Sequence, residues 1–70
     1  MPTFTAYIEF DPETQVYVGT IPSIPGANTQ GRTLTELQEN LREVLEVCVQ
    51  EQPDLVENLP YFAGILQIEI

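Results

Sequence analysis

Between Ile21 and Glu36 the chain reads Ile-Pro-Ser-Ile-Pro-Gly-Ala-Asn-Thr-Gln-Gly-Arg-Thr-Leu-Thr-Glu, and this run constrains the fold more than any other. Pro22 and Pro25 have no N–H to give a sheet ladder, so a strand that precedes them must stop there. Pro25-Gly26 is a turn dipeptide, with Pro fixing φ and Gly free to take φ > 0. Gly31 supplies a second bend. Thr33 and Glu36 have capping-box spacing, in which the Thr33 hydroxyl accepts from the Glu36 N–H and the Glu36 carboxylate reaches back. Pro22, Pro25, Gly26, Gly31 and Thr33 thus carry structure: they end a strand, make a corner and start a helix.

The flanking segments complete an α+β pattern. Thr3 to Phe10 alternates, with Phe4, Ala6, Ile8 and Phe10 on one face and Thr3, Thr5, Tyr7 and Glu9 on the other. That periodicity predicts a half-buried strand. Asp11-Pro12-Glu13-Thr14 reads as a hairpin turn, with Pro12 where a type I turn prefers it. Gln15 to Ile21 is the return strand. A one-residue slip would turn Val16 and Val18 inward. The preferred register sets Phe10 opposite Gln15, Ile8 opposite Tyr17, Ala6 opposite Gly19 and Phe4 opposite Ile21. Gly19 then lets a helix approach closely.

Ala27 to Gln30 makes a short third strand. Leu34 to Gln50 is a helix whose apolar stripe is Leu34, Leu37, Leu41, Leu45 and Cys48, widened by Val44 and Val49. Glu51 to Pro60 is a polar connector, with a short turn at Asp54–Glu57. Phe62, Gly64, Leu66, Ile68 and Ile70 share one face of a predicted last strand, and Ile65, Gln67 and Glu69 the other. The expected fold is a single α+β domain over residues 1–70. It is a two-layer β-β-β-α-β sandwich with one helix on a mostly antiparallel sheet.

Charge excludes more than it assigns. Eleven acids against two bases, Arg32 and Arg42, give a net charge of −9. Phosphate backbones and anionic membranes are repelled, so direct nucleic-acid or membrane binding is not expected, and a basic protein partner is favoured. There is no His and a single Cys, Cys48, so no metal-ligand set or internal disulfide is expected. Cys48 reads as a small buried hydrophobe. The Met-Pro-Thr-Phe start does not look like a signal peptide, and no apolar run approaches the ~20 residues of a membrane span. A cytoplasmic location is the simplest expectation. Seventy residues bury only about 60% of their unfolded surface, so a homo-oligomer, dimer or tetramer, is expected.

Tyr17-x-Gly19-x-Ile21-Pro22-Ser23-Ile24-Pro25-Gly26, then Thr29-Gln30-Gly31-Arg32-Thr33-Leu34-x-Glu36, then Asn40, resemble the HicB antitoxin family. Ser23 and Arg32 stand where that family usually has acids, Ala27 where Cys is frequent, and Leu37 where Ala is usual. The resemblance implies a degenerate ribonuclease-H-like domain without enzymatic activity, one that masks a small basic ribonuclease toxin and forms dimers or tetramers. Members usually carry a DNA-binding segment after this domain. None is seen before Ile70, so autorepression is not part of the implied role.

Partner-binding candidates lie on two surfaces. Glu36, Glu39, Glu43 and Glu46 run down the polar side of the helix as a docking row for a basic partner, although such a row also serves as a plain solvated face. Tyr7 and Glu9 belong to the outer sheet face. Glu9 and Glu69 would approach if the first and last strands were neighbours, but two acids without a third and without His do not make a hydrolase. No catalytic residue, cofactor or metal is expected. The competing reading is a self-assembling domain that binds a small molecule at a subunit interface.

Overall fold

A computed structural model describes residues 3–57 and 59–70. Three antiparallel strands, β1 (Tyr7–Asp11), β2 (Val16–Thr20) and β3 (Asn28–Gly31), form one sheet in the order β1-β2-β3. Helix α1 (Leu34–Glu51) packs on one face, and a 3-10 turn at Pro53–Val56 comes after it. The fold is α+β.

The hairpin loop sits one residue further along the chain than the sequence suggests, over Pro12–Gln15 in place of Asp11–Thr14. The Asp11 carboxylate accepts from the Glu13 N–H at 2.9 Å, and the Gln15 N–H donates to the Asp11 carbonyl at 2.8 Å. Gln15 closes the loop with φ 61°, and its side-chain amide donates to the Pro12 carbonyl at 2.8 Å. Gln15 is therefore lost to the strand. Phe10 pairs with Tyr17 and Ile8 with Gly19, two residues on from the expected register. A slip of two preserves the face, so Tyr17 and Gly19 still lie beside Phe10 and Ile8. The Phe10 and Tyr17 rings sit 5.0 Å apart at a tilt of 58°. The same shift shortens β1, because β2 ends at Thr20 and leaves Thr3–Ala6 no partner. Phe4 and Ala6 pack against the core nonetheless.

After β2 two turns stand back to back. The Ile24 N–H donates to the Ile21 carbonyl and the Ala27 N–H to the Ile24 carbonyl, each at 3.1 Å. Pro22 and Pro25 each occupy the second position of their turn, and Gly26 takes φ 81°, as a type II turn requires. The Ile21 N–H then reaches across to the Ala27 carbonyl at 2.9 Å and closes the loop. Every third residue points inward: Ile21, Ile24 and Ala27 are buried, and with Leu37 and Leu41 they form the core.

The helix begins as the capping pattern predicts, with the Thr33 hydroxyl accepting from the Glu36 N–H at 3.0 Å. The return bond differs: Glu36 accepts from the Arg32 N–H, at 3.3 Å, and not from that of Thr33. The apolar stripe starts at Leu37, since Leu34 is exposed. Cys48 is half-buried against the core. Gly31 is needed for space and not for a bend. A Cβ there would lie 2.6 Å from the Leu37 nitrogen.

The predicted last strand does not form. Residues 59–70 are irregular, and Phe62, Leu66, Ile68 and Ile70 are exposed. Alternation makes a segment fit to be a strand, but among the described residues no neighbouring strand pairs with it.

These contacts set an order of sensitivity. Gly31→Ala drives a Cβ into helix backbone and is expected to cost about 2–3 kcal/mol. Gly19→Ala meets the tips of Leu41 and Leu37, with Leu41 Cδ1 at 2.9 Å, and these can swing aside, so about 1 kcal/mol or less is expected. Thr33→Ala loses the cap, about 1 kcal/mol. Thermal unfolding followed by circular dichroism checks the ranking, each kcal/mol lowering Tm by roughly 4–8 °C in a domain of this size.

Candidate functional site

The helix presents its acids because its other side is committed to the core. Leu37 and Leu41 lie under the sheet, with Val44, Leu45 and Cys48 packed beside them. Glu36, Glu39, Glu43 and Glu46 face solvent on the opposite side. Thr35, Gln38, Glu39, Arg42, Glu43 and Glu46 border a shallow depression along it, so Arg42 is the one cation set within the acidic row. Arg32 stands at the helix start, where its N–H meets the Glu36 carboxylate.

Tyr7 and Glu9 lie elsewhere. Ile8 and Phe10 share the helix-side face of the sheet with Gly19 and Tyr17, so Tyr7 and Glu9 point the other way. Both are exposed. The two sets of candidate binding residues thus occupy opposite outer faces of the two layers and do not form one patch. Glu9 and Glu69 are not brought together either, because the segment that carries Glu69 joins no strand among the described residues. Among the described residues no group of three or more His, Cys, Asp or Glu is gathered to hold a metal, and no helix is long and apolar enough to cross a membrane.

Two features carry more than the sequence alone assigns them. The Asn40 side-chain amide donates to the Gln30 carbonyl at 2.8 Å and ties the middle of α1 to β3. Its position in the resembling motif was the available signal. A cleft of about 280 Å³ runs between residues 3–5, Tyr7, Pro22 and Ser23 on one side and residues 59–64 on the other. It opens to solvent and falls just below the range of ligand sites, about 300–1,000 Å³.

A family model described as UPF0150-like matches residues 5–52. A UPF0150 protein of Thermotoga maritima is 46% identical over 67 residues, covering 96% of this chain and 88% of that protein. UPF0150 proteins of Synechocystis and Archaeoglobus fulgidus are 36% and 33% identical over the same length, covering 93% of each. No solved structure matches the chain with significance.

The acids of α1 differ in what they do for helix stability. Glu36 stands in the first turn, but no basic residue stands in the last, where Glu51 faces the negative end of the helix dipole. Glu51→Lys is expected to raise stability by about 0.3–1 kcal/mol at low ionic strength, and Glu36→Gln to lower it by a similar amount. Denaturant titrations at low and high salt check both, the two effects shrinking together as salt rises.

Proposed function

The chain belongs to the UPF0150-like family, and from that premise we propose that it is a non-enzymatic module that binds and masks a small basic ribonuclease, as a HicB antitoxin does. UPF0150 is a HicB-related family, and the residues from Tyr17 to Asn40 carry the resemblance. The observation that favours this reading most is the exposed row Glu36, Glu39, Glu43 and Glu46 on a chain of net charge −9. Four carboxylates on one helix face, interrupted by Arg42 alone, give a field that speeds encounter with a basic surface and disfavours acidic competitors. Masking asks little chemistry of the chain. It needs a rigid surface that covers the ribonuclease's cationic RNA-binding face, and α1 is held rigid by the Thr33 cap and the Asn40–Gln30 bond. Such a module would act in the cytoplasm, where RNA and the ribonuclease meet. The outer sheet residues Tyr7 and Glu9 remain free for a second contact.

The test is a pull-down with the tagged chain from a lysate of its source organism at low and at moderate salt, followed by RNA-cleavage assays on what is captured. The expected result is one small basic protein, released as salt rises, whose ribonuclease activity is suppressed by an equimolar amount of the chain. Replacing Glu36, Glu39, Glu43 and Glu46 by Gln should weaken that suppression about tenfold or more, by analogy with removing several partly screened charge contacts. Capture of no basic protein, or of one whose cleavage of RNA the chain leaves untouched, would overturn the reading.

A further inference from the structure

The sheet is unfinished on one side. Helix α1 packs on β2 and β3 but makes no contact with β1. Ile8 and Phe10 point toward the helix layer yet remain 52% and 47% exposed. The far edge of β1 pairs with nothing among the described residues, because β1 is the end strand. An apolar strand edge of this kind is a template for another strand.

The chain also carries an apolar segment without a sheet. The nine residues Phe62–Ile70 hold a single charged side chain, Glu69, and alternate apolar with polar from Leu66 to Ile70. Leu66 and Ile68 are 87% and 79% exposed. Residues 59–64 pass beside residues 3–5 and Tyr7 at the entrance to β1, but beyond them the segment runs into solvent and does not turn onto its own β1 edge. The radius of gyration, 13.2 Å, exceeds the ~11 Å of a compact domain of this length.

We propose that Phe62–Ile70 of each chain pairs as a fourth strand with the β1 edge of a second copy, in a reciprocal strand-exchanged dimer. One edge and one unpaired segment per chain make a closed two-fold arrangement that leaves neither over. The pattern fits the seat. Phe62, Leu66, Ile68 and Ile70 would lie on the helix side with Ile8 and Phe10, while Ile65, Gln67 and Glu69 would lie on the outer side with Tyr7 and Glu9. The other edge is a poorer seat, since β3 is the short polar run Asn-Thr-Gln-Gly. Exchange of two such segments removes on the order of 1,500 Å² or more from water, the size of a stable interface. Each copy carries −9, so association works against mutual repulsion and should tighten as salt rises. A complex with a basic protein loosens with salt, so the two associations are separable, and this proposal does not rest on the one above.

The test is sedimentation equilibrium of the full chain across micromolar concentrations at low and moderate salt, with amide hydrogen exchange read residue by residue. Leu66→Pro removes a ladder N–H from a residue outside the core. The expected result is a particle of twice 7.9 kDa that tightens with salt, with protection at the β1 amides that face away from β2. Leu66→Pro should weaken the dimer about tenfold or more and strip protection from those amides, while the β2 and β3 amides stay protected. A monomer throughout would overturn the proposal, whether or not the segment then closes on its own chain. So would a dimer that survives Leu66→Pro, or one whose outward β1 amides exchange as freely as in the variant.

Discussion

The hydrogen bond from the Ile21 N–H to the Ala27 carbonyl is the closure on which the rest of the molecule depends. It ends two successive proline turns and brings the chain back antiparallel to β2. Because those turns repeat every three residues, they send Ile21, Ile24 and Ala27 to the same side. A loop thereby supplies three of the residues around which the helix packs. Prolines suit this work, since they lose less conformational freedom on ordering than other residues would. The same closure sets where β3 ends, and so where Gly31 meets the first turn of α1.

The closure leaves a thin two-layer body finished at one end and open at the other. The β3 side is secured by the Thr33 cap, by Asn40 reaching the Gln30 carbonyl and by the close approach at Gly31. The β1 side has no helix over it. A small domain has little surplus burial, and apolar surface left on an open strand therefore bears directly on its stability. Four of the acids, Glu36, Glu39, Glu43 and Glu46, line the outer face of α1, while Glu9 and Asp11 belong to β1 itself. The acidic row of α1 and the exposed Ile8 and Phe10 of β1 thus lie on different layers of the molecule.

Much of this was legible in the residues. Thr33 and Glu36 announced the helix start, and the stripe from Leu37 to Cys48 announced its buried side. Gly19 marked where that side would press on the sheet. Other features were not legible, for physical reasons. Gln15 adopts a left-handed conformation that sequence signals only through Gly, Asn or Asp, so the hairpin register could be read for its facing but not for its partners. Leu34 continues the helical spacing yet sits before the helix reaches the sheet. The alternation from Leu66 to Ile70 reports fitness for a sheet and says nothing about which chain provides the neighbour. The acids of the candidate surface were plain as a row on α1, whereas their separation from Tyr7 and Glu9 required the facing of both layers.

The two glycines that meet the helix differ in a way that bears on how such a sequence can drift. At Gly19 the obstruction is the mobile end of Leu41, while at Gly31 it is the Leu37 backbone. Position 19 can therefore exchange volume with position 41, a larger residue in the strand being matched by a smaller one in the helix. Position 31 has no such partner, because no change of side chain at 37 moves its nitrogen. Descent with modification is thus paired at one contact and frozen at the other, although both contacts involve Leu37.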